Sequence, residues 1–245
     1  MKYIVFAIIF TVAGITAEQP YYLSRCARDD PEINTCIKNT ANRLAKFLRQ
    51  GVPELEIYEV EPVLIDEIGI SLGSGPDGYR ASFRNIEAYG VSNLTVSNVK
   101  SDIETHQYQL TFEIPKISVK AQYRSSGVLI LVRASGAGDY WGEYQGVRAK
   151  AYFKAIPELD EVSGLTFLTV DKVKIDFSVK DITMGVDNVA NGNTVIQAAL
   201  NLFINSNAQE LLKEMKPALR DKLTLVLRNF VDRLFEKIPV EQLLE

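Results

Sequence analysis

The chain has 245 residues, of which 47% are hydrophobic, and its formal net charge is −4 at pH 7. An acidic balance argues against nucleic acid as a partner, because phosphate binding needs a basic surface. The length fits one large domain or two small ones, and no linker rich in Pro, Gly or Ser divides the sequence. We therefore expect a single domain.

Residues 1–17, MKYIVFAIIFTVAGITA, have the organisation of a secretory signal peptide, with one Lys, an apolar run over residues 3–12 and then small residues. The apolar run is too short to span about 30 Å of hydrocarbon, which argues against a membrane anchor. The cleavage bond stays open, because a cut after Ala17 leaves Ile15 where a small residue is preferred. The sequence predicts a secreted, extracellular protein whose mature domain is 18–245.

The two cysteines of the chain, Cys26 and Cys36, have nine residues between them. Two cysteines in a secreted chain are usually paired, and closing so short a loop stabilises the fold by roughly 2.5–3 kcal/mol in the chain-entropy model. A zinc site needs more ligands than these, and the only histidine, His106, is far away in the sequence. We predict a Cys26–Cys36 disulfide, no metal site and no cofactor.

A first helix is predicted from its end signals, with Asp30 as the N-cap, Pro31 at the first helical position and Gly51 just past the end. Its apolar stripe consists of Ile33, Ile37, Leu44 and Leu48. Cys36 lies in the second turn beside this stripe. The disulfide would therefore attach the N-terminal segment to the first part of the helix.

From Tyr79 to about Val186 apolar and polar residues alternate with a period of two, which predicts antiparallel strands with one dry and one wet face. The clearest apolar runs are Leu110, Phe112 and Ile114; Ile117, Val119, Ala121 and Tyr123; Val147, Ala149, Ala151 and Phe153; and Val173, Ile175, Phe177 and Val179. The Gly-rich stretch from Ser135 to Gly146 is predicted to be a turn or a bulged corner.

A second helical region is predicted from about Thr194 to Lys237. Within it, Asn207 and Glu210 resemble a capping box, and Pro217 should either kink one long helix or start a new one. After Pro217 the apolar residues cover about half of the helix circumference, which is wider than the roughly 100° stripe of a surface helix. They are Leu219, Leu223, Val226, Leu227, Phe230, Val231, Leu234, Phe235 and Ile238. Such a helix must be surrounded, and a strongly curved sheet is the structure we expect around it.

Catalytic motifs are missing from the sequence. It has no G-x-S-x-G elbow, and with one histidine and both cysteines expected in a disulfide, neither a serine triad nor a cysteine–histidine pair is easily assembled. We interpret His106, in the polar stretch SDIETHQY, as an exposed bystander in a turn. An esterase that uses His106 and Tyr123 is the remaining enzymatic alternative, and the sequence favours a protein that is not an enzyme.

Five segments in a specific order carry a resemblance to a known family. They are the cysteine pair around Asp30-Pro31, GVPELEIYEVEPVLIDEIGI at 51–70, SFRNIEAYGVSNLTVSNVKSDI at 82–103, IPKISVKAQYRSSGVL at 114–129, and LNLFINSNAQELLKEMKPAL at 200–219 with LFEKIP at 234–239. Through these segments the chain resembles the takeout and juvenile-hormone-binding protein family of secreted insect proteins over essentially the whole mature sequence. The hormone-binding branch is expected to carry a second disulfide, which two cysteines cannot form, so the chain is more similar to the takeout-like branch.

The resemblance implies an α+β fold in which a highly curved antiparallel sheet wraps a long C-terminal helix and encloses a hydrophobic tunnel. If the tunnel exists, its wall should come from dry-face positions of the strands and the helix. The predicted ligand-binding residues are Phe112, Ile114, Val119, Tyr123, Phe153, Phe177, Leu223, Leu227 and Phe230. The Tyr123 hydroxyl would either hold the polar end of a ligand or bond to a neighbouring carbonyl.

The predicted function is that of a secreted carrier for a hydrophobic small molecule, such as a terpenoid, a juvenile-hormone-like or a fatty-acid-like lipid. Burying a methylene yields about 0.8 kcal/mol and association costs about 4–15 kcal/mol, so a ligand of about fifteen or more carbons is needed. The alternative is an extracellular module with a packed interior that contacts a protein or a lipid surface, because periodicity does not distinguish a packed interior from a hollow one.

The remaining expectations concern the surface of the protein. The sequon Asn93-Leu94-Thr95 predicts an exposed glycosylation site at Asn93. We also expect a monomer that makes at most transient contact with a membrane or a receptor.

Overall fold

The computed structural model describes residues 20–72, 78–129, 132–133, 135–187 and 192–245. The predicted signal peptide, residues 1–17, lies outside the described residues. The helices are α1 (Ile33–Ala45), α2 (Thr194–Ser206), α3 (Ala208–Lys237) and the short α4 (Val240–Leu243). The strands are β1 (Val63–Leu72), β2 (Tyr79–Tyr89), β3 (Thr95–Asp102), β4 (Gln107–Ser126), β5 (Val128–Leu129), β6 (Val132–Arg133), β7 (Gly136–Asp160), β8 (Leu165–Ser178) and β9 (Asp181–Val186). No helix within these ranges is long and apolar enough to cross a membrane.

The main sheet is antiparallel and is organised around two long strands, β4 and β7, which pair from Gln107 opposite Lys154 to Ser125 opposite Gly136. Each long strand changes its other neighbour halfway along. β4 pairs first with β3 and then with β2, which in turn pairs with β1. β7 pairs first with β9 and then with β8. The molecule therefore has two ends, which we call the β9 end (β1, β2 and β9) and the β8 end (β3 and β8).

Helix α3 lies inside the sheet. It packs against β8 and also against β1, which are the two outermost strands in the sheet order. One helix can contact both edges only if the sheet curls around it. The predicted α+β fold, a long C-terminal helix wrapped by a highly curved antiparallel sheet in a single domain, is confirmed.

In both long strands, the residues that point into the curl switch once between even-numbered and odd-numbered positions, which we call the parity change. In β4 the inward apolar residues are even-numbered up to Ile114 and odd-numbered from Ile117 onward, and in β7 the change falls between Tyr144 and Val147. The pairing register is the same on both sides of this change. Between the two sides lie Pro115, which has no amide hydrogen, and Gly146, whose φ is +60°. This local distortion keeps apolar side chains inside the curl at both ends.

Of the two alternatives predicted for Ser135 to Gly146, a turn and a bulged corner, the turn is wrong, because β7 begins at Gly136 and runs through this stretch. Gly142 and Gly146 allow close packing and the change of inward positions within this strand, and neither reverses the chain. Gly142 faces inward between two tyrosines, where a Cβ would come within 2.7 Å of the Tyr140 hydroxyl.

The free edges of β3 and β9 are each covered by asparagine side chains from a helix, which we call the edge clamps. In α1, Asn42 accepts a hydrogen bond from the Val96 amide at 2.8 Å and donates to the Val96 carbonyl at 2.9 Å. In α2, Asn201 bonds in the same way to Val186, and Asn205 to Met184. The clamps fit because four helical residues rise about 6.0 Å and two strand residues about 6.6 Å. They close edges that would otherwise be open to other strands.

The helix ends differ in part from the predicted ones. Asp30 accepts a hydrogen bond from the Glu32 amide at 2.7 Å, but α1 begins only at Ile33. The break in the C-terminal helical region falls at Asn207, and α3 continues through Pro217. The predicted capping box is wrong, because the Asn207 side chain donates to the Phe203 carbonyl at 2.8 Å instead of capping α3.

Candidate ligand-binding site

Apolar side chains inside the curl form a separate cluster at each end. The β9-end cluster contains residues of β1, β2, β4, β7, β9, α2 and the first part of α3, among them Phe83, Tyr123, Tyr140, Leu200 and Met215. The β8-end cluster includes Cys26, Val170, Val173, Val231 and Phe235. Among the described residues the two clusters share no member.

The middle of α3, which joins the clusters, is not fully buried. Met215 is 8% exposed and Val231 is 5% exposed, but none of residues 216–230 is buried. This stretch is about 22 Å long at 1.5 Å per residue. Its half-buried apolar residues are Ala218, Leu219, Leu223, Val226, Leu227 and Phe230. We call residues 216–230 and the facing strand positions around Pro115 and Gly146 the waist.

The sheet is buried only in part at the waist, since Ile114 and Val147 are each 7% exposed but other inward residues keep more accessible surface. The half-buried inward residues there are Phe112, Ile117, Val119, Tyr144, Ile175 and Phe177. Apolar side chains that point into a curled sheet and still keep accessible surface indicate looser packing than at the two ends. The waist is therefore the part of the interior where a guest molecule would cover the most apolar surface.

The predicted wall residues lie on the inner face and divide between the two ends. Val119, Tyr123 and Leu223 belong to or pack against the β9-end cluster, and Phe153, Leu227 and Phe230 pack against the β8-end cluster. Phe112 packs against a smaller cluster that also contacts α1. All nine except Ile114 and Tyr123 are half-buried. Their role as ligand contacts stays a prediction.

Phe177 differs from the other predicted wall residues in its surroundings. The Lys216 ammonium lies 5.5 Å from the centroid of the Phe177 ring. Lys216 also pairs with Asp176 at 2.9 Å. Phe177 thus lies at the border between the apolar interior and a charged edge of the sheet.

The Tyr123 hydroxyl is already engaged in the fold. It donates a hydrogen bond to the Asp187 main-chain carbonyl at 3.2 Å. Burial, with smaller effects of Tyr79 and Asp187, raises the pKa of Tyr123 to about 12. Of the two uses considered for this hydroxyl, the structure shows the bond to a neighbouring carbonyl.

A pair of inner-face tyrosines was missed by the sequence reasoning. The hydroxyls of Tyr140 and Tyr144 lie 2.5 Å apart, and Tyr140 also lies 3.3 Å from the Met184 sulfur. Burial is the main cause that raises the pKa of both phenols, so both stay protonated at neutral pH. The Y-x-G-x-Y pattern at alternate strand positions was the available signal, but it falls in the stretch that was predicted as a turn.

Two open clefts lie on the outside of the curl. The first, of about 770 Å³ at the β9 end, is lined by residues that include Leu64, Asn85, Asp139 and Trp141. The second, of about 910 Å³ at the β8 end, is lined by residues that include Lys150, Tyr152, Lys174 and Arg220. None of the nine predicted wall residues lines either cleft. The first cleft is distinct from the waist, whereas the second borders it, because Ile175 and Arg220 are among its lining residues. The looser packing of the waist is indicated by the exposure of its own inward side chains.

The predicted disulfide between Cys26 and Cys36 is present, with an S–S distance of 2.01 Å. Cys26 also pairs with the C-terminal segment, since its amide donates to the Leu243 carbonyl at 2.9 Å and its carbonyl accepts from the Glu245 amide at 3.0 Å. The disulfide therefore connects α1 both to the N-terminal segment and to the residues after α3. Together these contacts close the β8 end.

His106 lies in a turn, as predicted, but it is half-buried, so the prediction that it is exposed is wrong, and its role as a bystander stays a prediction. Its Nδ1 is buried without a hydrogen-bond partner in the described part of the chain, and its φ is +48°. Burial, followed by the nearby Arg28, lowers the pKa of the imidazole. Among the described residues no group of three or more His, Cys, Asp or Glu is placed to hold a metal ion.

Asn93 lies at the end of a short 3-10 helix, Val91–Asn93, and is exposed. Its position leaves the side chain accessible to a glycosyltransferase. Glycosylation at Asn93 stays a prediction.

Fold and interior together define a single-domain protein whose curled sheet encloses a C-terminal helix and a loosely packed apolar waist. The chain belongs to the haemolymph juvenile hormone binding protein family, whose model matches residues 4–245. This is a family of binding proteins and not of enzymes. The resemblance inferred from the sequence is confirmed.

Individual relatives support the same assignment. The chain is 21% identical over 233 residues to the circadian clock-controlled protein daywake of Drosophila melanogaster, covering 92% of this chain and 88% of the relative. It is 20% identical over 230 residues to daywake of Drosophila yakuba, covering 91% and 87%. The crystal structure of Epiphyas postvittana Takeout 1 superposes with a TM-score of 0.78 at 18% identity, covering 91% of this chain and 100% of that one.

Proposed function

We propose that this protein is a secreted carrier that binds a terpenoid, juvenile-hormone-like or fatty-acid-like lipid along the waist. The observation that carries the proposal is the incomplete burial of apolar side chains over residues 216–230 inside the curl, in a family of hormone-binding proteins. A fully packed interaction module would bury these side chains against its own sheet. Residues 1–17 would direct export, and the domain of residues 18–245 would act as a monomer.

The size of the ligand follows from the apolar character of the waist. A chain of about fifteen methylenes gains about 12 kcal/mol on burial, against an association cost of about 4–15 kcal/mol. A much shorter ligand would not bind usefully. The predicted contacts are Phe112, Ile114, Val119, Phe153, Phe177, Leu223, Leu227 and Phe230, with Tyr123 supporting the β9 end.

A polar group of the ligand would meet the Tyr140–Tyr144 pair. Two hydroxyls carry two hydrogens, and their mutual bond uses only one of them. The Met184 sulfur, 3.3 Å from Tyr140, is a weak acceptor for the other. A ligand carbonyl, ester or carboxyl oxygen is a stronger acceptor, so a lipid with one such group should bind more tightly than a plain hydrocarbon of equal length.

The test is a titration of the purified protein with a fluorescent fatty acid and a fluorescent terpenoid, alongside mass spectrometry of an organic extract. Leu223→Trp should fill the waist and weaken binding about 10-fold or more, since it displaces at least two methylenes' worth of ligand. Leu225→Trp is the matched control, because Leu225 is 58% exposed on the opposite side of the same helix. The carrier function is supported if the protein binds a ligand saturably and if L223W, but not L225W, weakens this binding. Absence of saturable binding for all ligands would refute it in favour of the packed interaction module.

A further inference from the structure

The outer face of the sheet at the β8 end carries a concentration of lysines. Three rows of paired residues cross β3, β4, β7 and β8 there. The rows are Asp102, Gln107, Lys154 and Lys172; Lys100, Gln109, Tyr152 and Lys174; and Asn98, Thr111, Lys150 and Asp176. We call the five lysines of these rows the lysine face.

The lysine face is positive on a chain that is negative as a whole. Five lysines against Asp102, Asp176 and Asp171, which pairs with Lys154, leave an excess of 5 − 3 = 2 positive charges, whereas the chain has a net charge of −4. Asp176 is held by Lys216 at 2.9 Å and Arg220 at 2.7 Å, which lie outside the rows and add further positive charge. Such a local excess attracts an anionic partner despite the acidic balance of the chain.

The lysines are largely unpaired within the described part of the protein. Lys154 pairs with Asp171 at 3.7 Å, but Lys100, Lys150, Lys172 and Lys174 form no ion pair there. Lys154 and Lys172 lie directly opposite each other on neighbouring strands. Like charges in this arrangement destabilise a sheet. The stability of the fold does not explain why the lysines are placed so that they repel each other, whereas binding of an anionic surface would offset this repulsion.

The same β7–β8 hairpin ends in an exposed apolar tip. Ile156 is 48% exposed, Leu159 is 65% exposed and Val162 is 96% exposed. The carboxylate of Asp160 accepts hydrogen bonds from Ser163 and the Val162 amide, so it is occupied within the turn. Glu158 and Glu161 carry the other acidic charges of the tip, and the attraction to an anionic partner therefore comes from the lysines.

We propose that the lysine face and the apolar tip together dock this protein onto an anionic lipid surface. Lysines bind headgroup phosphates and carboxylates, and exposed apolar side chains next to them enter the interfacial region of a bilayer. An acidic polysaccharide or protein would use the lysines but would leave the tip without a function. The proposal goes beyond ligand binding, because it states where the protein would meet a membrane.

The test is cosedimentation of the full secreted chain with vesicles of phosphatidylcholine alone and with vesicles of equal parts phosphatidylcholine and phosphatidylserine. We expect binding to the anionic vesicles only, and a decrease as salt is added. Each juxtaposed lysine contributes about 5-fold to partitioning, so the triple variant Lys150→Gln, Lys172→Gln, Lys174→Gln should bind about 100-fold more weakly. Leu159→Ser with Val162→Ser should remove the part of the binding that survives high salt.

The matched control is the triple variant Lys46→Gln, Lys120→Gln, Arg124→Gln, which makes the same change in net charge at exposed positions away from the lysine face. It should lose less than about 5-fold. Equal loss in both triple variants, equal binding to both vesicle types, or binding to soluble heparin without binding to vesicles would each overturn the proposal. Ligand titration of the lysine variant should be unchanged, so failure here is distinguishable from failure of the proposed carrier function.

Discussion

The edge clamp of α2 gives the most direct test of how this fold holds its sheet edge. Asn201→Ala removes the acceptor for the Val186 amide, at 2.9 Å, and the donor to the Val186 carbonyl, at 3.1 Å. Val186 is only 4% exposed, so neither backbone group gains free access to water. A buried group left without a partner costs about 1–3 kcal/mol. Because two buried backbone groups lose their partner, we expect a loss of about 2–6 kcal/mol.

Replacement by aspartate separates the hydrogen bonds from the shape of the side chain. In Asn201→Asp the ionised carboxylate still accepts from the Val186 amide but faces the Val186 carbonyl without a hydrogen to donate. We expect a loss like that of the alanine variant at neutral pH. The loss should shrink as the pH falls through the pKa of the new carboxyl, because the protonated acid regains a donor.

The assay is urea unfolding, combined with hydrogen exchange of the Val186 and Met184 amides. Asn98→Ala is the control, since Asn98 is exposed on the outer face, and it should stay within about 0.5 kcal/mol of the parent. Exchange at Val186 should accelerate in N201A and not in N98A. If N201A costs no more than N98A, the idea that side-chain amides substitute for a strand partner is wrong.

Three further predictions test the closure of the β8 end, the tyrosine pair and the alkaline limit of stability. Cys36→Ser should lower the free energy of unfolding by about 2.5–3 kcal/mol in urea, and reductant should then have no further effect; a smaller change than reduction of the parent protein would contradict it. Gly142→Ala should force Tyr140 and Tyr144 apart and cost about 1–3 kcal/mol, with weaker binding of lipids that carry a carbonyl; Ala137→Gly on the same strand is the control. The pKa values of Tyr108 and Tyr123 are raised to about 12, so their stabilisation is complete below pH 10 and should be lost as the pH rises to about 12. Tyr123→Phe should flatten this decline in urea unfolding measured against pH, and an unchanged slope would count against it.

Long, regular patterns in the sequence predicted the correct elements. The predicted helical limits Thr194 and Lys237 are the observed start of α2 and end of α3, since a broad apolar helix face leaves a strong signal. The alternation on either side of Pro115 also predicted the inner face. It did not reveal that both sides belong to one strand, because the parity change resembles two strands with a break between them.

Features that depend on distant partners could not be predicted. Asn201 and Asn205 look like an ordinary polar face of a helix, since nothing near them in the sequence indicates that β9 lies opposite. The glycines of β7 indicate a turn when they are considered alone, and only the tyrosines on both sides of Gly142 show why a side chain is excluded there. The incomplete burial of residues 216–230 depends on how the sheet curls around α3, which no local pattern encodes.

The position of α3 has a consequence for how the protein is made. Every strand of the sheet precedes α3 in the chain, so the ribosome synthesises the whole sheet before it synthesises the helix that the sheet surrounds. At about 5–20 residues per second, synthesis of residues 194–245 takes roughly 3–10 s. During this time the apolar inner face of the sheet has no complete α3 to pack against. The Cys26 backbone likewise forms its hydrogen bonds only after Leu243 and Glu245 have been synthesised. The nascent chain therefore exposes apolar surface that favours aggregation until α3 is available, and the native form is reached only after α3 has been synthesised.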